Sequence, residues 1–492
     1  MSESISRRDF LRRGAIAAAG ITVAPSTILG KKWGHTAPTD KLNIAGIGVG
    51  GMGNSNLTQM RTENIVALCD VDWKYSAKVF ERYPDAKKYW DYRKLFDEMG
   101  KSIDAIMCAT ADHTHAIITA DAITMGKHAY TQKPLTHSVY ESRLLTKLAD
   151  KYQVATQMGN QGSSGEGVRK ICDWIWTGEI GEIKKVEAAT NRPIWPQGLM
   201  TPAKGDWVPE TLNWDLFTGP ANMRPYNEVY HPWNWRGWWD YGTGALGDMA
   251  CHILHPVFKA LKLGYPTKAQ GSSTMLLRDC APQAQRVKLT FPARPKHGKL
   301  NMPEVEVYWY DGGMMPDRPA GYPDGKPLML EGGGLVIFHG TKDTLLCGCY
   351  GQNPWLLSGR VPTNVPKTQR EITVSHEQDW IRACKEPAAT RVKTASDFSE
   401  AVPFNEMVVM GVLAVRLQEL NKELLWDGQN MRFTNITDDD KLRIIIKDGF
   451  SVKDGHPSFN KEMTDPINAK AFAEGLIKHN YRQGWKLVDM PK

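Results

Sequence analysis

Two short segments carry residue types that can move a proton. In the first, the apolar run His128-Ala129-Tyr130-Thr131 leads into Gln132-Lys133-Pro134. A strand ending there sets Lys133 at the carboxyl edge of a parallel sheet, where open α/β folds bind ligands. Pro134 restrains the backbone of Lys133 and permits a cis bond, so the ammonium can be aimed. Such a lysine can hold a substrate hydroxyl and assist its deprotonation, although the fragment alone fits an ordinary surface lysine better. The second segment is Tyr241-Gly-Thr-Gly-Ala-Leu-Gly-Asp248-Met-Ala-Cys-His252. Glycines before an apolar run open a helix, and Asp248 and His252, four apart, then share one face. In such a pair the carboxylate fixes the imidazole tautomer while the ring takes a hydroxyl proton as hydride leaves. A helix cap with a satisfied histidine is the plainer reading. Metal ligation with His255 or His231 is a third, but no H-E-x-x-H or equivalent spacing accompanies it, so no metal is expected.

Both segments make chemical sense only next to a hydride carrier, and the chain offers a site for one. Gly46-Ile-Gly48-Val-Gly50-Gly51-Met-Gly53 follows an apolar run and precedes a helix-like stretch. Gly46, Gly48 and Gly51 fit the G-x-G-x-x-G spacing of a dinucleotide loop: tight turn, approach of the pyrophosphate, packing of helix on strand. Gly48, Gly50 and Gly53 fit a shifted register nearly as well. The next strand, 64–69, ends on Asp70, where an acid accepts both ribose hydroxyls of an adenosine and repels a 2′-phosphate, so NAD is expected over NADP. Trp73 reads as an adenine contact or as core. In Asp112-His113-Thr114-His115, after the third strand, His113 or His115 is expected to line the nicotinamide pocket or to cap the following helix. Between the loop and the helix of Asp248 lies Tyr230-His231-Pro-Trp-Asn-Trp235-Arg236-Gly-Trp-Trp239. Aromatic faces with polar donors suit a sugar, which makes Trp235, Arg236 and His231 candidate substrate contacts; core filling is the other reading of the tryptophans.

The elements that must position these groups alternate strand and helix from 41 to about 160, which predicts a doubly wound parallel sheet, an α/β Rossmann domain. From about 266 the chain turns strand-rich, with expected strands near 268–275, 285–291, 304–309, 334–338, 345–350 and 370–374, joined by the earlier 184–191. These predict an α+β domain over 161–430 with a large, mostly antiparallel, open-faced sheet, a long helix over 401–423, and a wrapping extension over 431–492.

At 492 residues, 41% hydrophobic and 23% charged, the composition is that of a globular chain of two full cores. Its net charge of +7 is mostly a leader effect: within 1–32, Arg7, Arg8, Arg12, Arg13, Lys31 and Lys32 face only Glu3 and Asp9, leaving +3 elsewhere. That is too little to argue for nucleic acid. The leader, with Ser6-Arg7-Arg8-Asp9-Phe10-Leu11 ahead of a mild apolar run, reads as a twin-arginine export signal and hence a periplasmic protein. The run is too short for a stable membrane span. Eight cysteines show no C-x-x-C spacing, so buried thiols are expected. A chain exported already folded would load NAD beforehand and hold it tightly.

Together, GIGVGGMG, ALCDVD, CATADHTHA, GKHAYTQKPL, TQMGNQG, NWRGWWDYGTGALGDMACHILHP and WDGQNMRFTN resemble the Gfo/Idh/MocA family of glucose-fructose oxidoreductases and inositol dehydrogenases. The resemblance puts the family's catalytic lysine on Lys133 and its D-x-x-x-H pair on Asp248 and His252. Gln132 departs from the usual E-K-P and removes a charge beside Lys133. Many relatives carry Asp in place of His255, which marks that position as one that tunes substrate choice. The family implies oxidation or reduction of a secondary alcohol on a carbohydrate, and exported Trp-rich branches resemble enzymes acting at C3 of glycosides. The runner-up is a redox-neutral, NAD-dependent glycosidase: oxidation, elimination, hydration, reduction. A non-catalytic binding module is disfavoured by the joint presence of Lys133, Asp248 and His252. By analogy with the family, a homo-oligomer through the open sheet face is expected.

Overall fold

The computed structural model describes residues 40–491; the expected export signal lies outside the described residues. Short apolar runs such as Asn64-Ile-Val-Ala-Leu-Cys69 become strands enclosed on both faces, as parallel strands require. The strands of this first sheet are β1 (Asn43–Ile47), β2 (Asn64–Cys69), β3 (Lys87–Tyr89), β4 (Ala105–Cys108), β5 (His128–Thr131) and β6 (Thr156–Met158). All pairings are parallel and the order is β3-β2-β1-β4-β5-β6, which opens a crevice where the order reverses between β1 and β4. The joining helices are α1 (Gly51–Gln59), α2 (Ala77–Arg82), α3 (Tyr92–Met99), α4 (Asp112–Thr124) and α5 (Val139–Tyr152). A capping box of Ser138 and Glu141 starts α5. The helix expected from Trp73 begins only at Ala77, because Asp72 accepts hydrogen bonds from the amides of Lys74 and Tyr75 (both 3.0 Å) and holds a turn there. β3 and α3 were not anticipated: the strand has three residues, two of them exposed lysines, too short for a visible alternation.

The second sheet has nine strands: β7 (Ile183–Thr190), β8 (Lys268–Ser273), β9 (Gln285–Phe291), β12 (Val305–Tyr310), β13 (Gly334–Gly340), β14 (Thr344–Cys347), β15 (Trp355–Leu356), β16 (Leu424–Asp427) and β17 (Arg432–Phe433). A separate hairpin supplies β10 (Arg294–His297) and β11 (Leu300–Met302). Their order is β15-β14-β13-β7-β12-β9-β8-β16-β17, and only β7 and β12 run parallel. The remaining helices used below are α6 (Glu166–Trp176), α7 (Trp214–Thr218), α8 (Gly244–Ile253), α9 (His255–Ala260), α10 (His376–Cys384), α11 (Phe398–Arg416) and α12 (Ala469–Ile477). α11 is long and apolar enough to cross a membrane, yet 83% of its apolar window is buried. It lies so close on β8 that a Cβ at Gly271 would stand 2.5 Å from its backbone. It starts at Phe398, three residues before expectation, because Asp397 caps it, and it stops at Arg416. The opposite sheet face carries Lys185, Glu187 and His339, and Lys288 with Glu306 and Glu423.

No strand forms at 370–374, where Arg370 instead pairs with Asp379 of α10 at 2.7 Å. The expected strand to 350 stops at Cys347 and gives way to a tight turn over Cys349–Gly351. α10 packs on the first sheet, not the second: Trp380 is fully buried, edge-on to Tyr130 at 5.7 Å, in one cluster with Ile44, Val49 and Leu68. The C-terminal segment lies across the first domain and the end of α7. Tyr481 donates to Glu141 (2.8 Å), Arg482 donates to the carbonyl of Gly219 (2.5 Å), and Trp485 lies under the guanidinium of Arg93 at 4.3 Å. All eight cysteines are buried free thiols.

Candidate active site

The loop between β1 and α1 shows which glycines are needed. Gly48 has φ +73°, and a Cβ there would stand 2.7 Å from the backbone of Ala109 and Thr110; a Cβ at Gly53 would stand 2.0 Å from the carbonyl oxygen of Gly48. Gly48 is thus the turn and Gly53 the contact of helix with strand. Gly50 and Gly51 line the cleft at the helix N-terminus, whereas Gly46 sits inside β1 against Leu57 and Val49 and does not reach the cleft. The register that fits is the shifted one, and Gly46 is corrected from a cofactor contact to a strand residue. Asp70 ends β2; one carboxylate oxygen accepts from the amides of Val49 (2.8 Å) and Gly50 (3.1 Å), the other from Asp72 (2.9 Å). Burial raises its pKa against these bonds. A left-handed glycine turn, a helix N-terminus and a carboxylate closing the same loop fit the pyrophosphate and ribose of a dinucleotide.

The cleft reaches from the glycine loop between β1 and α1 to Lys133 at the end of β5. Asp70, Trp90, Tyr92 and Trp485 line one part of it, and Lys133, Trp233 and Arg236 another. Tyr75 lies against the glycine loop, its ring 2.3 Å from where a Cβ on Gly50 would be. Trp73 does not face the cleft; it stacks on Trp90 at 4.5 Å and 6°, so Trp90 is the wall and Trp73 its backing.

At the other end β5 delivers Lys133, whose peptide bond to Pro134 is cis. Its Nζ donates to Asp248 Oδ1 at 2.7 Å, and Arg236 Nε donates to the same oxygen at 3.0 Å. Asp248 comes from α8. Lys133 and Arg236 hold its carboxyl well below the usual carboxylate range, against a burial effect that would raise it. The guanidinium of Arg236 lies between Trp233 (4.0 Å) and Trp235 (4.3 Å). The expected pairing of Asp248 with His252 is not formed, because two cations compete for the carboxylate against a neutral ring. His252 has no partner at Nδ1 and lies 4.6 Å from the ring of Tyr350. Burial, then the charge of Lys133, pulls its pKa down to about 3, so it is neutral near pH 7.

The other histidines divide. His231 faces the cleft and meets Asp72 through Nε2 at 2.9 Å. His115 is corrected from cofactor contact to brace: its ring nitrogens meet the carbonyls of Pro134 (2.8 Å) and Thr110 (3.0 Å), steadying the loop that carries Lys133. Burial lowers its pKa to about 4. His113 lines the cleft but spends its nitrogens on the carbonyls of Tyr241, Phe217 and Thr218. His255 is corrected from substrate contact to a tie between α9 and α11: buried against Phe404, it meets Glu400 at 3.0 Å, which Lys259 also reaches at 2.8 Å. Among the described residues no group of three or more His, Cys, Asp or Glu could hold a metal ion.

Sequence reasoning missed the setting of Gln132. Its side-chain oxygen accepts from the amide of Lys133 (3.3 Å), its NH2 donates to Asn56 (3.0 Å), and Asn56 donates to the buried carboxylate of Glu377 (2.7 Å). A negative charge thus stands two amides away from Lys133, supplied by α10. Nothing in the local motif could reveal it, since Glu377 lies 321 residues from Asn56.

The NAD-binding Rossmann-fold model of the Gfo/Idh/MocA oxidoreductases matches residues 42–160, and the model of the C-terminal alpha/beta domain of that family matches 188–290. Among curated proteins, the chain is 27% identical over 231 residues to glycosyl hydrolase family 109 protein 1 of Shewanella sp. (strain ANA-3), covering 42% of this chain and 50% of that one. Over the same shares it is 26% identical to an alpha-N-acetylgalactosaminidase of Shewanella oneidensis. The match spans about half the length of these relatives. Among solved structures, the WlbA dehydrogenase from Bordetella pertussis, in complex with NADH and UDP-GlcNAcA, aligns with a TM-score of 0.53 at 15% identity over 79% of this chain and 99% of that one. A levoglucosan dehydrogenase in complex with NADH and levoglucosan aligns at 0.50 and 15%, over 77% and 98%. At such identity the likeness concerns the fold. With a parallel six-stranded sheet carrying the glycine loop, a mostly antiparallel sheet beside it, and family models matching within both, the chain belongs to the Gfo/Idh/MocA oxidoreductase family, and its first domain is an NAD-binding Rossmann fold.

Proposed function

We propose that the protein oxidises a secondary hydroxyl, at C3, of a sugar or glycoside, with an NAD that stays bound through turnover. The observation that carries this reading is the joint salt bridge of Lys133 and Arg236 on Asp248, set in the dinucleotide cleft beside Trp233 and Trp235. Gly48, Gly50, Gly51 and Asp70 would hold the NAD, which when bound supplies the ring that takes up or returns a hydride. Lys133 donates a hydrogen bond to the reacting hydroxyl and stabilises the negative charge that grows on its oxygen. Asp248 fixes the position of that ammonium and keeps Arg236 beside it. His252, neutral near pH 7, accepts the hydroxyl proton. Trp233 and Trp235 offer flat apolar faces to the C–H side of a sugar ring, while Arg236 offers donors to its hydroxyls. The twin-arginine pattern supports action in the periplasm, and a retained cofactor suits that compartment. A homo-oligomer through the open face of the nine-stranded sheet rests on analogy with the family.

The test is to purify the protein without added cofactor, measure bound nucleotide and the 340 nm absorbance, then add alkyl and aryl glycosides. A rise at 340 nm of about one equivalent per subunit supports the dehydrogenase. The names of the glycosyl hydrolase family 109 relatives favour a second reading, in which the same residues run a redox-neutral glycosidase. Sustained aglycone release without lasting NADH would select it. A protein without nucleotide that fails to bind NAD would overturn both.

A further inference from the structure

One residue of the second domain has a backbone conformation that its side chain makes costly. Tyr350, in the turn between β14 and β15, has φ +61° and ψ 13°. Eight non-glycine residues among those described have positive φ, and Tyr350 is the one aromatic; four others are Asn or Asp, which tolerate the left-handed region. Gly351 follows with φ +70°, so the turn already employs a glycine where left-handed backbone is needed. A glycine at 350 would meet the same need without strain. A bulky residue held in that region is characteristic of sites where geometry serves function.

The side chain points where a function would need it. Its ring lies 4.6 Å from the ring of His252 and packs on Gly162, where a Cβ would come within 2.7 Å of Cδ1. Asp248 and Arg192 are near enough to act on the phenol electrostatically. Tyr350 is half-buried, yet its hydroxyl makes no hydrogen bond among the described residues, whereas Tyr130, Tyr92 and Tyr481 each donate to a carboxylate. Asn160, which follows β6 next to the turn that Tyr350 packs on, is 1% exposed and has neither amide atom paired. The phenol of Tyr350 and the amide of Asn160 are thus two polar groups near His252 without a protein partner among the described residues.

We propose that Tyr350 is a substrate-contacting residue, whose hydroxyl hydrogen-bonds a ring hydroxyl of the bound sugar beside His252, and that the left-handed backbone at 350 is retained to aim it there. The inference rests on the sugar-oxidoreductase or glycosidase reading above.

The experiment is Tyr350→Phe in the full chain with its bound nucleotide, measured on a glycoside that the wild type turns over. Removing only the hydroxyl leaves the ring packing, so nucleotide content and Tm are expected to match the wild type. KM is expected to rise at least tenfold, with a smaller effect on kcat, and calorimetric titration of the glycoside should weaken in parallel. A kcat/KM within twofold of the wild type, at unchanged Tm and nucleotide content, overturns the inference and leaves the parent reading standing. A Tm fall of several degrees with unchanged KM assigns Tyr350 to packing and also overturns it. A nucleotide-loaded wild type that acts on no glycoside of the panel overturns the parent reading, and this inference with it.

Discussion

Replacing Asp248 by Asn removes one charge and strands two. Its carboxylate accepts from Lys133 at 2.7 Å and from Arg236 at 3.0 Å, and all three side chains are 16% exposed or less. Unit charges about 4 Å apart attract by roughly 4 kcal/mol at an effective dielectric of 20. Desolvation of the ions offsets much of that, but deleting one partner leaves the other charges buried and unpaired, at a cost of about 3–5 kcal/mol. Residual solvent access argues for the lower end, about 3 kcal/mol. The pH dependence has a definite sign. The folded pKa of Asp248 lies below its ordinary value, so its stabilisation is fully present above an unfolded pKa of about 3.9 and is lost as pH falls toward the folded value. Denaturant unfolding of wild type and Asp248→Asn should therefore differ by about 3 kcal/mol from pH 8 down to about pH 5, with the gap closing below about pH 4. A gap under about 1 kcal/mol at pH 7, or one that widens in acid, would refute the electrostatic account. Turnover should fall at least 100-fold, since the reactive ammonium loses its anchor.

Gly48→Ala and Gly53→Ala should each abolish bound nucleotide and destabilise by roughly 2–3 kcal/mol, typical of overpacking, because their added Cβ atoms meet backbone at 2.7 and 2.0 Å. Gly46→Ala meets only side chains, at 3.0 Å or more, and should keep its nucleotide by absorbance and mass spectrometry; the reverse ranking would restore the unshifted register. Trp485→Ala should leave the protein folded but speed NAD release by about tenfold, the loss of roughly 1.4 kcal/mol of contact, in a nucleotide-chase measurement; unchanged release would remove Trp485 from the cofactor wall. Asp112, buried with a pKa raised to about 7, holds a proton in the folded state that the unfolded chain releases near pH 4. Its cost to stability grows as pH rises from about 4 to 7 and is constant above. Asp112→Asn should thus gain stability relative to wild type across that window, as read by urea midpoints; a constant difference would mean the acid is ionised throughout.

The parallel sheet was legible because its central strands are apolar and punctuated by glycine and by Asp70, so β2 and β5 fall on the expected residues. Lys133, Asp248 and Arg236 were legible as residue types at element ends, but their partnership was not. A helical i, i+4 pattern says that Asp248 can reach His252, not that two cations from β5 and the Trp-rich segment arrive first. His115 and His255 show the same limit: an imidazole signals chemistry in sequence, while burial against carbonyls or a carboxylate assigns it to bracing. Edge elements such as β3, and extended stretches such as 370–374, were misread because three to five residues carry too little periodicity to separate strand from loop.

The position of α10 has a consequence for how this molecule can be made and taken apart. Trp380 donates to the carbonyl of Ala155 from 225 residues downstream, and the sheet it covers is otherwise complete by Met158. On a ribosome, that sheet waits with an apolar face open to water until the whole nine-stranded neighbour but its last two strands has been translated. A gene fragment cut near residue 160 would encode a nucleotide-binding unit lacking its lid of Trp380, Ile381 and Cys384, and would invite aggregation on that face. Grafting the unit onto another scaffold therefore means carrying a second, distant piece of sequence with it.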